Sequence, residues 1–261
     1  MPEEGHLPIP RIGPISGSVR QSGSVHMATA VVIGATGGIG GALVEELTRR
    51  GAYGQIHALG RRPGAATGAG VVTGHLDLTD EASIAAAAAR VETADLVIVA
   101  TGVLQSATLR PERSYRALDG DAMLESLRIN LVGPALVAKH FLPKLPRSGR
   151  SVFAALSARV GSISDNRLGG WHSYRAAKAA LNMTLANLAI ELARERPEAL
   201  CLGLHPGTVD TSLSAPFQRG LATGQLFTPA YSASCLVDVI DRARLEDSGR
   251  VLAWDGSRIA P

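Results

Sequence analysis

The chain has 261 residues, with 26 basic and 23 acidic side chains and a formal net charge of +3. Its length suits one folded domain, and its scattered charges form no block of like sign, so we expect no nucleic-acid partner. The apolar runs are shorter than the roughly 20 residues that cross a bilayer, which predicts a cytoplasmic protein with no membrane partner. Cys201 and Cys235 lie in apolar contexts that favour reduced thiols, and no histidine spacing indicates a metal.

Residues 1–26 are rich in Pro, Gly and Ser and have neither apolar periodicity nor the continuous apolar stretch of a signal peptide. We expect a disordered N-terminal extension there, with Met27 as an alternative start to Met1. A tail that covers a neighbouring subunit is the other interpretation. The folded domain is expected over residues 27–261.

Strand-like and helix-like segments alternate after residue 27. The strand-like segments are continuous apolar runs, typical of a parallel sheet that is covered on both faces. They span 30–34, 54–60, 70–78, 95–102, 149–157, 199–207 and 249–256. Helix-forming composition covers 39–50, 80–92, 121–145, 173–195 and 229–243. This order predicts a single-domain α/β fold of the Rossmann type, a doubly wound parallel sheet with helices on both faces. In such sheets, ligands bind beyond the carboxyl ends of the strands.

A glycine-rich turn joins the first strand to the first helix. Glycine permits a tight turn and lets the backbone approach a pyrophosphate, and the helix N-terminus attracts negative charge. The turn therefore predicts a dinucleotide site, with a plain loop as the alternative. The expected contacts are Gly34, Thr36, Gly37, Gly38, Ile39 and Gly40.

The end of the second strand discriminates between the two nicotinamide cofactors. An acidic residue there would accept hydrogen bonds from a free ribose 2′-hydroxyl and would repel a 2′-phosphate. Here Gly60 stands in the acid's place, and Arg61 and Arg62 follow it. Guanidinium groups bind phosphate well, so we expect NADP(H) rather than NAD(H). A solvated pair of surface arginines is the alternative.

Tyr174 and Lys178 stand four residues apart in a strongly helix-forming segment, so both side chains project from one helix face. A nearby ammonium favours the phenolate and lowers the pKa of a tyrosine. The pair can then exchange a proton with a carbonyl oxygen. The chain has only three lysines, at 139, 144 and 178, so a lysine at this offset is significant.

Asn130 lies four residues before Pro134 in a helix-forming segment. Proline lacks an N–H, so the carbonyl of Asn130 loses its usual helical donor and the helix tends to kink. A free carbonyl at that point can hold a water molecule. We expect a functional role for Asn130, with simple packing as the alternative.

The glycine spacing Gly-x-x-x-Gly-x-Gly from Gly34, together with Tyr174 and Lys178, resembles the short-chain dehydrogenase/reductase family over about residues 28–256. Residues 152–183 resemble the branch that contains bacterial C-factor-type proteins and the insect carbonyl reductase Sniffer. The resemblance implies an NADP(H)-dependent oxidoreductase that transfers hydride between nicotinamide and a small carbonyl or alcohol substrate, as a homodimer or homotetramer. The branch also implies an alternative, a cofactor-binding signalling or regulatory protein with secondary catalysis.

Further site residues follow from this resemblance alone. Lys178 would hold the ribose hydroxyls, and Asn130 would hold a water joined to that lysine. Only Gly102 matches the family's Asn-Asn-Ala-Gly after the fourth strand, because Val, Ala and Thr precede it here. The remaining expected cofactor contacts are Asp77 and Leu78 at the adenine, and Pro206, Gly207, Val209 and Thr211 after the sixth strand.

The family's serine is ambiguous in this chain. Members usually carry serine three residues before a glycine at the end of the fifth strand, and Ala158 stands at that offset from Gly161. Ser157 lies one residue earlier, and Ser162 lies one residue after the glycine. We expect Ser157 to hydrogen-bond the substrate oxygen, with Ser162 as the rival.

Residues 212–228 form a long connection with glycines and with the apolar side chains Phe217, Leu226 and Phe227. Long loops of this kind often close over substrates, so we expect a mobile substrate lid. A statically packed loop is the alternative.

Overall fold

The computed structural model describes residues 27–62, 64, 68–218 and 224–261, and the expected N-terminal extension lies outside them. The described strands are β1 (Thr29–Ile33), β2 (Gln55–Gly60), β3 (Val71–His75), β4 (Leu96–Val99), β5 (Ser151–Leu156), β6 (Ala199–His205), β7 (Thr208–Val209), β8 (Leu226–Phe227), β9 (Val251–Ala253) and β10 (Arg258–Ile259). The α-helices are α1 (Gly38–Arg50), α2 (Glu81–Ala89), α3 (Gly120–Leu127), α4 (Gly133–Phe141), α5 (His172–Glu195) and α6 (Pro229–Arg242).

Eight strands form one sheet in the order β10-β9-β6-β5-β4-β1-β2-β3. β1 pairs in parallel with both β2 and β4, so the chain reverses its direction of travel across the sheet beside β1. The predicted doubly wound fold is confirmed. Two edge features differ from the prediction, because β10 runs antiparallel to β9 and the edge strand β3 is largely exposed.

Helices cover both faces of the sheet. On one face, Leu43 of α1 and Leu236 of α6 are fully buried against the strands. On the other face, α4 and α5 bury Phe141 and Leu181 against Phe153 of β5. Burial of such side chains stabilises the fold by about 1.5–3 kcal/mol each. The two apolar layers fix α1 and α5, the helices that carry the glycine turn and the Tyr-Lys pair.

The expected helix over 121–145 is interrupted. α3 ends at Leu127, a π-helical turn spans Arg128–Val132, and α4 begins at Gly133. The Gly133 N–H donates to the carbonyl of Arg128, five residues back, which widens the helix at this point. Pro134 in the first turn of α4 offers no N–H to Asn130, which accounts for the break.

The predicted lid packs against the domain at both of its described ends. Phe217 packs edge-to-face against Trp171, with ring centroids 5.1 Å apart. Phe227 lies in β8, which pairs with β7, and its ring packs on Trp254 at 4.7 Å. Residues 219–223 of the predicted lid lie outside the described residues.

Cys201 is buried, Cys235 is partly exposed, and both are free thiols. Among the helices in the described ranges, none combines the length and the apolar character needed to span a bilayer.

Candidate active site

The turn between β1 and α1 requires glycine at its closest approaches. Gly34 has a φ of 88°, and a Cβ at Gly40 would lie 2.1 Å from the Gly34 carbonyl oxygen. The N–H groups of Gly34 and Ala35 donate to the Leu59 carbonyl at 2.8 and 3.0 Å, which ties the turn to β2. In the described part of the chain, no side chain caps α1 at Gly38, so its first N–H groups can bind an anion.

A cavity of about 450 Å³ extends from this turn across the carboxyl ends of β4, β5 and β6. A Cβ at Gly38 would lie 2.8 Å from Cγ2 of Thr211, so the turn and the segment after β7 face each other closely. The predicted site residues that line the cavity are Gly37, Gly38, Ile39, Gly102, Ser157, Tyr174, Lys178, Pro206, Gly207, Val209 and Thr211. The fold therefore brings the expected cofactor turn and the expected catalytic pair into one space.

The remaining predicted residues lie around this cavity without lining it. Arg61 and Arg62 are exposed beyond the end of β2. A Cβ at Gly60 would lie 3.4 Å from Oγ1 of Thr36, so these two residues are neighbours at the same strand end. Gly60 itself contributes no carboxylate at this strand end, and Arg61 lies near enough to Asp77 to help lower the pKa of that carboxyl.

Asp77 and Leu78, the expected adenine contacts, are both tied into the protein. The Asp77 carboxylate accepts hydrogen bonds from the backbone N–H and the hydroxyl of Thr79, at 2.9 and 2.8 Å. The Thr79 backbone N–H is the main cause that holds the pKa of Asp77 below its usual value. Leu78 is buried, and its side chain packs against Gly133 at the start of α4.

Tyr174 and Lys178 lie on one face of α5, and the lysine is only 2% exposed. Its Nζ donates to the carbonyl of Leu156 at 2.8 Å and lies 5.7 Å from the centroid of the Tyr174 ring. Burial raises the pKa of Tyr174 to about 12 and lowers the pKa of Lys178 to about 8. Desolvation thus sets the direction of the Tyr174 pKa shift in this structure, and a lowering of that pKa by the Lys178 ammonium stays a prediction.

Asn130 lies in the π-helical turn and is 0% exposed. Its amide pairs with the backbone of Val103, accepting from the N–H at 3.0 Å and donating to the carbonyl at 2.8 Å, and also donates to the Ser126 carbonyl at 3.1 Å. A Cβ at Gly102 would lie 3.4 Å from the Asn130 Oδ1 and 3.8 Å from the Lys178 Nζ. The loop after β4 thus lies between the asparagine and the lysine.

Residues 28–221 match the family model described as short chain dehydrogenase. The 1-hydroxy-2-glutathionyl-2-methyl-3-butene dehydrogenase of Rhodococcus sp. (strain AD45) is 31% identical over 233 residues, which cover 88% of this chain and 98% of that protein. The chain belongs to the short-chain dehydrogenase family. This oxidoreductase also resembles the C-signal of Myxococcus xanthus, with 33% identity over 138 residues that cover 52% of this chain and 77% of that protein.

Solved structures agree with this placement. The NADPH-bound carbonyl reductase from chicken fatty liver is 27% identical, covers 90% of this chain and 99% of its own, and superposes with a TM-score of 0.76. The carbonyl reductase Sniffer of D. melanogaster shares the fold, with a TM-score of 0.77 over 90% of this chain and 100% of its own, at 22% identity. The resemblance to the short-chain dehydrogenase family is confirmed, and C-signal and Sniffer are both among the proteins that this chain resembles.

The two candidate serines of this short-chain dehydrogenase have different surroundings. The Ser157 hydroxyl reaches the cavity wall but donates to Oδ1 of Asn182 at 2.5 Å, so its proton points away from the cavity. Ala158, at the family's serine offset, also lines the cavity. The Ser162 hydroxyl accepts from the Asp165 N–H at 3.0 Å, and Ser162 does not line the cavity.

Sequence reasoning missed several residues of the cavity, and Trp171 and His205 are two of them. Trp171 has a φ of 52°, the one positive φ outside glycine among the described residues, and its ring lines the cavity. The two glycines at 169 and 170 were the sequence signal that could have indicated an unusual backbone before α5. Both take the left-handed conformation and bend the chain into the helix. His205 also lines the cavity, and burial lowers its pKa to about 4.

Proposed function

We propose that this short-chain dehydrogenase uses NADPH to reduce a carbonyl group on a small molecule to an alcohol, with Tyr174 as the proton donor. One observation carries the proposal: Tyr174 and Lys178 line the same cavity as the glycine turn at the start of α1. A dinucleotide on that turn and a carbonyl beside Tyr174 would therefore occupy one continuous space.

The residues around the cavity fit a nicotinamide dinucleotide. Thr211 lies so close to Gly38 that there is no room even for a Cβ. A glycine at this position suits close approach of a pyrophosphate to the N-terminus of α1. Arg61 and Arg62 would hold a 2′-phosphate, and Pro206 and Gly207 would line the nicotinamide end. When bound, the reduced cofactor supplies a hydride to the carbonyl carbon.

The protein's own residues supply the proton. Tyr174 donates its hydroxyl proton to the carbonyl oxygen, and its pKa of about 12 keeps the phenol protonated at neutral pH until that moment. The Lys178 ammonium, held by the Leu156 carbonyl, stabilises the phenolate that forms. Lys178 would also bind the ribose hydroxyls. Ser157 would hydrogen-bond the same substrate oxygen once its hydroxyl leaves Asn182.

Asn130 would support the return of a proton to the site. Its backbone carbonyl belongs to the π-helical turn, where Pro134 provides no N–H. A Cβ at Gly102 would lie within 3.8 Å of both the Asn130 Oδ1 and the Lys178 Nζ, and this closeness supports a water that would link the π-helical turn to the lysine. The proton would then pass from water to Lys178 and on to Tyr174.

The preference for NADPH over NADH rests on the end of β2. Gly60 presents no carboxylate, and the exposed guanidinium groups of Arg61 and Arg62 follow directly. The chicken liver carbonyl reductase, a structural relative, was solved with NADPH bound.

The similarity to the C-signal supports a second candidate, a cofactor-binding signalling protein with secondary catalysis. The intact Tyr174 and Lys178 favour the enzyme, because binding alone does not require a tyrosine acid and its ammonium partner. Turnover separates the two: the enzyme oxidises NADPH with at least one carbonyl class, whereas a binding protein retains the cofactor without consuming it.

The direct experiment is a panel of aldehydes, ketones and quinones with NADPH, followed at the absorbance of the reduced nicotinamide. Consumption of NADPH that depends on the carbonyl supports the proposal. Tight NADPH binding without consumption across the panel would favour the signalling candidate.

A further inference from the structure

We propose that Glu112 is a positioning residue of the active site: it holds the first turn of α5 and, with it, the Trp171 ring and the Tyr174 hydroxyl against the cavity. The inference deepens the proposed function, because it rests on Tyr174 as the proton donor. Glu112 lies in the loop that follows β4, far from α5 in sequence.

The carboxylate of Glu112 acts as the cap of the catalytic helix. Glu112 is only 5% exposed, and its two carboxylate oxygens each lie 3.3 Å from the Ser173 N–H, while the Ser173 hydroxyl donates to Oε1. The N-cap residue Trp171 makes no side-chain cap in the described structure. The first N–H groups of a helix usually donate to the side chain of the N-cap residue, but in α5 the acceptor is the carboxylate of Glu112, from a segment distant in sequence. A carboxylate at this end also complements the helix dipole.

The backbone of Glu112 holds the residue that enters the helix. Its carbonyl accepts the Trp171 N–H at 2.5 Å, and a Cβ at Gly170 would lie 3.2 Å from the same oxygen. Trp171 takes the left-handed conformation, which a bulky residue keeps only where its surroundings fix it. Its ring packs against Phe217 and forms part of the cavity wall. The main chain of Glu112 thus sets where this aromatic wall stands.

The proposed acid is the next residue after the capped serine. Glu112, Ser126, Ser173 and Tyr174 are among the residues that line a small void of about 10 Å³. Removal of the carboxylate would enlarge this void beside the phenol and release the first helical turn. Misplacement of a reacting group by about 1 Å can cost ~10²-fold in rate, so a loose first turn affects turnover.

Two substitutions distinguish a role of Glu112 as a hydrogen-bond acceptor that positions α5 from a role of its negative charge. Glu112→Gln keeps an oxygen that accepts from Ser173 and nearly the same volume, whereas Glu112→Ala removes the cap and leaves a gap. Glu46→Ala is the matched control, because Glu46 is also a buried carboxylate, bonded to Arg49 and Arg50 near the end of α1. The control should lose stability while each folded molecule keeps its turnover.

The first readout does not depend on activity. The chain has two tryptophans, so a Trp254→Phe background leaves Trp171 as the single tryptophan, which is excited at wavelengths where tyrosine hardly absorbs. In that background, Glu112→Ala should shift the emission to the red and raise acrylamide quenching at least about twofold, because a released ring gains access to water. Glu112→Gln and Glu46→Ala should leave both signals unchanged.

The second readout is steady-state turnover of NADPH and carbonyl by folded protein. Glu112→Ala should lower kcat by about 10- to 100-fold and raise KM for bulky carbonyls more than for small ones, since the Trp171 wall moves. Glu112→Gln should stay within about threefold of the wild type. The affinity for NADPH should be unchanged in both variants.

Three results would overturn the positioning role. The first is wild-type turnover and fluorescence in Glu112→Ala, and the second is a loss of turnover in Glu112→Gln equal to that in Glu112→Ala. The third is a loss of turnover per folded molecule in Glu46→Ala equal to that in Glu112→Ala. A wild-type protein that reduces no carbonyl would refute the proposed function separately. In that case the fluorescence of Trp171 still decides whether Glu112 holds the helix start.

Discussion

Ser157 offers the sharpest prediction about the substrate oxygen, because the structure gives its hydroxyl a competing partner. In the ground state its proton is donated to Asn182 at 2.5 Å. A hydrogen bond to the developing oxyanion would contribute about 2 kcal/mol, and breaking the bond to Asn182 would cost about 1 kcal/mol. The net gain is about 1 kcal/mol, so Ser157→Ala should lower kcat/KM about fivefold.

Two companion variants complete this test, measured as kcat/KM with one carbonyl substrate and saturating NADPH. Ser162→Ala should be near neutral for turnover, because Ser162 does not line the cavity and its hydroxyl accepts from the Asp165 N–H. Ala158→Ser adds a hydroxyl on the cavity wall at the family's usual offset and should raise kcat/KM. A loss above about 100-fold in Ser157→Ala, or a larger loss in Ser162→Ala, would refute this reasoning.

Arg61→Asp should weaken NADPH binding by about 1.5–3 kcal/mol, the range for a charged hydrogen bond. Fluorescence titration of the wild type should show that NADH binds more weakly than NADPH. Equal affinities of the wild type for the two cofactors would contradict this prediction. Carbonyl reduction should fall about tenfold per pH unit above pH 8, because the Lys178 ammonium, with its pKa of about 8, is lost as the pH rises. A flat kcat/KM profile to pH 9.5 would exclude that role for the ammonium. The exposed Met183 and Ile190 of α5 support a homodimer or homotetramer, which light scattering at micromolar concentration should detect and a monomer would disprove.

The long helices were predictable because the local sequence pattern favours the same structure that packing against the sheet requires. α5, expected over 173–195, spans His172–Glu195, and α1, expected over 39–50, spans Gly38–Arg50. Each has a strong helix-forming composition over several turns, and the glycine turn marks where α1 begins. The two-residue strands β7, β8 and β10 were not foreseen, since two residues carry no periodic signal.

The candidate site was predictable as a set of residues but not as a network. Spacing predicted Tyr174 and Lys178 as a pair, and both line the cavity, yet the burial that raises the tyrosine pKa depends on segments packed around α5. The direction of the Ser157 hydroxyl depends on Asn182, which local sequence around the serine does not reveal. Glu112 gave no sequence signal, because its partner Ser173 is distant along the chain.

Tyr174→Phe tests the central claim most directly, by removing one hydroxyl from the proposed acid. The measurement is single-turnover oxidation of bound NADPH by a carbonyl substrate, with NADPH affinity and thermal unfolding recorded for the same protein. We expect the fold and the cofactor affinity to be retained and the rate to fall at least ~10²-fold, the usual contribution of a general acid. Wild-type turnover in Tyr174→Phe would contradict the proposed chemistry.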